Sequence, residues 1–362
     1  MLFNVCALYI KIMNNENQTI HKSDDNLTIY GWNEKLNQLK QESIYSTLAH
    51  GRVSIVHRTC YEVISGNGLF QCELTGNMMY GKSDDELPCT GDWVIFQPFD
   101  EHKGIIVDRL PRERTLYRKK SGTVADKQAI ASYVDKAFIV QSLDDNFNVR
   151  RVERFMVQIM EENISSVLVL NKADLDFDRQ SVEEQIKHIS SQIPVFFTSI
   201  HQLETIVRLR KSISEGETVV FVGSSGVGKS SLVNALCEKP VLLTSDISLS
   251  TGKGRHTSTR REMVLMDSSG VLIDTPGVRE FGLAIDNPDS LAEVLEISDY
   301  AELCRFKDCK HINEPGWAVL EAVNSGVLDY KVYASYLKLR REAWHFSASE
   351  HEKRKKEKSF TK

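Results

Sequence analysis

The densest chemistry in the chain lies in Gly223-Ser-Ser-Gly-Val-Gly-Lys-Ser230, followed by Ser231. Glycines at this spacing let successive backbone N–H groups converge on an anion with no Cβ in the way. The apolar run Thr218–Val222 precedes the loop, and the amphipathic stretch Ser231–Cys237 follows it. That is the strand–loop–helix setting of a phosphate-binding loop. There Lys229 reaches the β- and γ-phosphates, the Ser230 hydroxyl ligates Mg²⁺, and the helix N-terminus adds a favourable dipole. The candidate phosphate contacts are Gly223, Ser224, Ser225, Gly226, Val227, Gly228, Lys229, Ser230 and Ser231. A glycine-rich turn before an unrelated helix is the plain alternative. A chance match in a chain this long is roughly 1%, which disfavours it before context is counted.

A phosphate loop does not choose a base. Asn171-Lys172-Ala173-Asp174, at the end of the apolar run Ser166–Leu170, supplies that choice. A carboxylate at Asp174 accepts from both guanine N1–H and the 2-amino group, a donor pair that adenine lacks. The Lys172 stem can lie across the base. The plain alternative is a helix N-cap at Asp174. Thr198-Ser199, after Pro194–Phe197, would add a contact to the guanine or simply form a strand-end turn.

Asp274-Thr-Pro-Gly277 stands about 45 residues after Lys229 at another strand end. A D-x-x-G match is expected about once by chance, so its position carries the weight. Asp274 there would hold Mg²⁺ through water, and the Gly277 N–H would sense the γ-phosphate. Between the two lies Gly252-Lys-Gly-Arg-His-Thr-Ser-Thr-Arg260, in which Thr257, Ser258 or Thr259 offers a further Mg²⁺ ligand. The residue after D-x-x-G is Val278, which cannot orient water as a glutamine would. His256 is the candidate for that task, with a solvated loop histidine as its plain alternative.

These motifs need a parallel α/β sheet. Ala137–Gln141, Ser166–Leu170, Val195–Thr198 and Val219–Val222 read as buried strands, with Val149–Glu162 and Val182–Ser191 as helices between them. Glu262–Met266 and Gly270–Ile273 read as a hairpin across Asp267-Ser-Ser-Gly270. The tetrapeptide at 171–174 precedes the loop at 223–230, the reverse of the usual order, so the domain is read as circularly permuted. The sensing loop then leads directly into the C-terminal region, and flanking domains are expected to fix the new termini.

Earlier in the chain, Arg52–His57, Tyr61–Ile64, Leu69–Leu74, Asp92–Gln97 and Gly104–Val107 are short β-like runs, implying a small barrel or sandwich. Residues 1–30 read as poorly ordered and 31–48 as a short helix. Arg109–Lys120 is basic and contains Tyr117, and reads equally as an RNA contact or a solvated linker.

At 362 residues the chain suits two or three domains, and its net charge of −5 carries no global nucleic-acid signature. Seven scattered cysteines suit a reducing compartment. The run Met1–Ile12 is too short to span a bilayer, so a cytoplasmic protein without a membrane partner is expected. The tail Lys353–Lys358 reads as an RNA-contacting arm or a solubilising tail.

Taken together, Asn171–Asp174, Gly223–Ser231, Gly254–Thr257, Asp274–Gly282 and Cys304-Arg-Phe-Lys-Asp-Cys-Lys-His311 resemble the bacterial ribosome small-subunit-dependent GTPase A family over about residues 50–345. The resemblance implies an OB-fold β-barrel at 49–112 after an N-terminal extension (1–48). It implies a circularly permuted α/β P-loop GTPase domain at 113–287, a mostly α zinc-binding-like domain at 288–345, and a basic tail at 346–362. It implies GTP and GDP as ligands, the small ribosomal subunit and its rRNA as partner, a role in late subunit maturation, and subunit-stimulated hydrolysis involving His256. A monomer is expected. The family's zinc motif is incomplete here: Cys304, Cys309 and His311 fit, but Trp317 stands at the fourth place. Indole cannot ligate zinc. A fourth ligand from Asp308 or Glu314, a water, or no metal with Trp317 as an apolar plug all remain open.

Two other readings compete. One is a nucleotide-gated RNA-binding module in which hydrolysis is incidental. The other is an ATPase or small-molecule kinase, against which Asn171–Asp174 argues.

Overall fold

A computed structural model describes residues 25–81, 83, 85–119, 127–238, 261–266, 269–274, 291–292, 295, 297–301, 303–304 and 318–347. The apolar runs form β8 (Lys136–Ser142), β9 (Ser165–Asn171), β10 (Val195–Thr198), β11 (Thr218–Val222) and β13 (Ser269–Asp274). These five strands are parallel in the order β10-β9-β8-β11-β13, and β12 (Glu262–Met266) adds antiparallel to β13. Side chains alternate between the two faces of a strand. On one face Ile139, Leu168, Leu170, Val220 and Ile273 meet Val152, Phe155, Met156 and Ile159 of the helix Val149–Glu161. On the other, Phe138, Val169, Phe221 and Leu272 meet Ile206 and Leu209 of the helix Leu203–Lys211, and Leu232, Val233 and Leu236 of the helix Lys229–Cys237. Both faces are thus covered, as continuous apolar strands require.

β1 (Ala49–Val56), β2 (Tyr61–Ser65), β3 (Gly68–Leu74), β4 (Trp93–Asp100) and β5 (Lys103–Arg109) run in the order β1-β2-β3-β5-β4. β4 pairs back onto β1, closing a five-stranded barrel around Val53, Val63, Phe70, Phe96 and Ile106. One pair, Ile55 with Glu262, links this barrel to the α/β sheet. Arg52 is fully buried at the junction. It donates to the carbonyls of Gly91, Tyr30 and Tyr133 and to Thr218 Oγ1.

Several expectations are corrected. Residues 25–32 are not loose: Leu27 and Trp32 pack with Leu36, Trp93 and Ile95 against the barrel. The helix expected over 31–48 is shorter, Glu34–Glu42, because Asn33 caps its start by accepting from the Leu36 N–H. The helix expected over Val182–Ser191 is two pieces, Arg179–Gln185 and Lys187–Ser190, joined through Ile186. Of the two readings of the basic stretch after Arg109, an RNA contact or a solvated linker, the linker is overturned where the stretch is described. Leu116–Lys119 forms β6, paired with β7 (Lys127–Ala131). Arg112 binds Asp92, Arg114 binds Asp135, and Arg118 binds Gln128. Toward the C-terminus, the helix Tyr330–Ser347 packs Tyr333, Tyr336 and Leu339 into the core that contains the helix Val149–Glu161.

Candidate nucleotide site

The glycine-rich loop turns between β11 and the helix Lys229–Cys237. Gly223, Gly226 and Gly228 hold φ of 153°, 84° and 93°. At Gly223 a Cβ would lie 2.4 Å from the Val140 carbonyl oxygen, and at Gly228 2.3 Å from Asn171 Nδ2. Glycine is therefore required at both ends, by conformation and by contact with β8 and β9. Gly228 caps the helix without a side chain, so the cap offers no competing acceptor to the first-turn N–H groups at Lys229, Ser230 and Ser231.

Lys229 folds back over the loop. Its Nζ donates to the Gly223 carbonyl at 2.9 Å and the Ser224 carbonyl at 2.8 Å. Burial pushes its pKa below the ordinary lysine value, and the Asp274 carboxylate opposes that shift. A partly desolvated cation resting on neutral carbonyls gains by meeting a phosphate. Asp274 is buried at the end of β13, in register with Phe221 of β11, and so lies beside the start of the loop. A hydroxyl at Ser230 and a carboxylate at Asp274 are hard oxygen donors, and this donor chemistry fits Mg²⁺.

The base-side tetrapeptide is tied to this loop. Asn171, 3% exposed, donates from Nδ2 to the Val227 carbonyl at 2.8 Å and accepts at Oδ1 from Thr198 Oγ1 at 3.3 Å. Lys172 takes a left-handed φ of 61°, and its Nζ meets Asp144 Oδ2 at 2.8 Å. Burial alone would raise the Asp144 carboxyl. Hydrogen bonds from Lys172, Ser142 and the Asn146 N–H outweigh it and bring the pKa down to about 2. Ala173 N–H donates to the Thr198 carbonyl at 3.0 Å. Asp174 is exposed and accepts from the Ser199 hydroxyl, which is the main cause of its lowered pKa. The Ser199 N–H in turn donates to Thr205 Oγ1 at 3.0 Å. The Asp174 carboxylate is thus fixed and ionised, with open faces toward solvent. It does not cap the next helix, a role taken by Asp178, which accepts from the Ser181 N–H at 3.0 Å.

The structure therefore brings Asn171, Thr198, Val227 and Gly228 together, sets Ser199 against Asp174, and places Asp274 by Lys229. His256, Thr257, Ser258, Thr259, Gly277 and Val278 lie outside the described residues, as do Cys309, His311 and Trp317. Cys304 is described, and its Sγ donates to the Tyr300 carbonyl at 3.7 Å. Among the described residues, no group of three or more His, Cys, Asp or Glu could hold a metal. The zinc reading rests on Cys304, Cys309 and His311, with Asp308, Glu314 or water for a fourth ligand, and all of these but Cys304 lie outside the described residues. Sequence reasoning missed Asp144 and Arg151. Neither belongs to a motif, although both sit just after the strand Ala137–Gln141, where such a sheet gathers its ligand.

A base-side tetrapeptide at the end of β9, a phosphate loop after β11 and an aspartate at the end of β13 occupy neighbouring strand ends of one parallel sheet, in reversed chain order. They define a circularly permuted P-loop GTPase. A structure of YloQ, titled a circularly permuted GTPase, shares this fold with a TM-score of 0.60, 21% identity, and coverage of 85% of this chain and 99% of that one. The YjeQ crystal structure from Thermotoga maritima matches with a TM-score of 0.61 at 25% identity, over 82% of this chain and 98% of that one. The family model described as RsgA GTPase matches residues 109–284. A Bacteroides thetaiotaomicron protein named small ribosomal subunit biogenesis GTPase RsgA 1 is 75% identical over 350 residues, 97% of each chain. A Methanosarcina acetivorans protein named small ribosomal subunit biogenesis GTPase RsgA is 38% identical, over 90% of this chain and 89% of its own. The chain belongs to the RsgA GTPase family and is a GTP hydrolase. No helix among the described residues is long and apolar enough to cross a membrane.

Proposed function

We propose that this GTPase acts on the small ribosomal subunit during its late maturation in the cytoplasm, and that the subunit stimulates its hydrolysis of GTP to GDP and phosphate. The ribosomal part rests on the name of the relative that is 75% identical over 97% of both chains. The nucleotide part rests on Asn171, whose amide ties the base-side tetrapeptide to the phosphate loop at Val227.

Asp174, held by Ser199, reads the N1–H and 2-amino edge of guanine. The Lys172 stem, its ammonium anchored at Asp144, flanks the base. The N–H groups of residues 223–231 cradle the phosphates, and Lys229 leaves the Gly223 and Ser224 carbonyls to meet the β- and γ-oxygens. Mg²⁺, when bound, neutralises charge on those oxygens; Ser230 would hold it directly and Asp274 through water, with one of Thr257, Ser258 and Thr259 beside them. His256 orients the attacking water, since Val278 cannot, and the Gly277 N–H reads the γ-phosphate. The barrel over 49–112 is assigned as an OB fold, followed by a GTPase domain over 113–287 and a C-terminal domain over 288–345. The barrel and the basic tail Lys353–Lys358 contact rRNA.

The test is GTP turnover measured with salt-washed small subunits, large subunits and free RNA. Stimulation by small subunits alone is expected. Equal turnover in all three, with nucleotide-dependent RNA binding retained, would favour the binding module instead.

A further inference from the structure

Arg151 lies in the first turn of the helix Val149–Glu161 and points back to the phosphate loop. Its Nη1 sits 3.0 Å from Ser224 Oγ, 3.2 Å from both Asn146 O and Asn146 Oδ1, and 3.5 Å from Gln141 Oε1. All four partners are neutral oxygens on one nitrogen. Among the described residues, Nε and Nη2 make no hydrogen bond, and no carboxylate comes within ion-pairing distance of the guanidinium. The acid of the adjoining loop, Asp144, is committed to Lys172. A guanidinium favours planar, bidentate partners such as carboxylate or phosphate. Here it is held by one corner, with the fork unused.

Its position along the loop indicates which phosphate it would meet. The base-side brace from Asn171 reaches Val227, toward the far end of the loop. Lys229, the side chain that takes the β- and γ-phosphates, lies at the Gly223 and Ser224 carbonyls. Arg151 meets the same residue, Ser224, through its hydroxyl. Two cations therefore converge on the end of the loop that faces the terminal phosphate. A second feature marks the spot. Gln141 is fully buried near the end of β8, and among the described residues its Nε2 has no hydrogen-bond partner.

We propose that Arg151 is a cis-acting γ-phosphate contact: its free Nε–Nη2 edge binds the terminal phosphate of GTP, so that the site discriminates triphosphate from diphosphate. Gln141 and Asn146 fix the guanidinium from behind. This rests on the guanine-nucleotide reading above. The contact adds no covalent step; it supplies positive charge where charge develops during phosphoryl transfer.

The experiment compares GDP and a non-hydrolysable GTP analogue on the full chain, by titration, for the parent, Arg151→Ala and Arg151→Lys. Arg151→Ala should weaken the GTP analogue by about tenfold or more, the scale of one charge-assisted contact, and leave GDP within about twofold. Arg151→Lys should fall between, since it keeps the charge and loses the fork. Turnover at saturating GTP should drop in Arg151→Ala, so that kcat falls as well as affinity. Equal loss for both nucleotides would mean that Arg151 only braces the loop, and no loss for either would mean that it does nothing there; both results overturn the proposal. If Arg151→Ala does not fold, Arg151→Gln replaces it under the same criteria. A parent that prefers ATP to GTP, or binds neither, overturns the underlying guanine reading and is distinguishable by that control alone.

Discussion

Replacing Asn171 by alanine should both loosen the phosphate loop and weaken every guanine nucleotide. The side chain spans two elements and is almost fully buried. Its removal strips the Val227 carbonyl of the donor at 2.8 Å and the Thr198 hydroxyl of the acceptor at 3.3 Å. Both residues are fully buried, so water cannot readily substitute. A buried polar group left unpaired costs about 1–3 kcal/mol, so the two together cost about 3 kcal/mol after partial relaxation. In a chain of several domains a single unfolding midpoint is a poor gauge, and amide exchange reads the local loss directly. Exchange in residues 223–231 and in β9 should become faster, with the opening free energy lowered by about 3 kcal/mol. GDP and a GTP analogue should weaken by a similar factor, about tenfold or more, because the brace shapes the loop and touches no phosphate. That pattern separates Asn171 from Arg151, whose loss should fall on GTP alone. If exchange in the loop shifts by less than about 0.5 kcal/mol and both affinities stay at the parental value, the brace is not what positions the loop.

Asp174→Asn should reverse base choice: an amide can donate to the C2 carbonyl of xanthine but cannot accept the paired guanine donors, so the XTP/GTP preference should rise by at least about 100-fold in competition binding. An unchanged preference would remove Asp174 from base reading. Lys172→Met should raise the Asp144 pKa from about 2 toward its ordinary 3.8, read by carboxyl NMR, since burial is then opposed only by Ser142 and the Asn146 N–H. The sign follows: a carboxyl depressed in the folded state stabilises the fold above its unfolded value and loses that contribution as pH falls through about 2. Parent and variant should therefore diverge in acid stability only across and above that window. Arg52→Met should destabilise the junction of barrel and sheet by about 3 kcal/mol, because it leaves the Gly91, Tyr30 and Tyr133 carbonyls without their buried donor. Exchange in β1 and at the start of β11 should rise, and exchange confined to its parental rates would refute the latch.

What the sequence disclosed follows from the range of the forces involved. Short-range signals were legible: the glycines at 223, 226 and 228 announce their backbone geometry, and the runs at 166–170 and 219–222 announce strands buried on both faces. The partners of those motifs were not. Asp144 lies 28 residues before Lys172, and Ser199 follows Asp174 by 25, so only the assembled sheet brings them together. Thr198-Ser199 read equally as a guanine contact or a strand-end turn, and its two hydroxyls hold Asn171 and Asp174. The arginines after Arg109 read equally as an RNA contact or a solvated linker because composition counts charges without their counter-ions. Asp92 and Asp135, distant in sequence, absorb two of them.

The permuted order places a mechanical demand on the fold, and described contacts bear on it at the entry and in the C-terminal region. At the entry, β8 begins at Lys136, where an ordinary G domain would be continuous. Asp135, just before it, is held by Arg114 at 2.9 Å and accepts from the Thr218 N–H at 2.8 Å, while Lys136 pairs with Glu217 and Arg52 reaches Thr218 from the barrel. In the C-terminal region, the helix Tyr330–Ser347 is seated on the helix Val149–Glu161. Ser335 donates to the buried Glu153, which His188 also meets at 3.0 Å, and Arg154 pairs with Glu342 at 3.0 Å. Glu153 and Arg154 lie within one helical turn of Arg151, whose guanidinium rests on the phosphate loop. One helix therefore carries both the Arg151 contact to the phosphate loop and the contacts that seat the C-terminal helix.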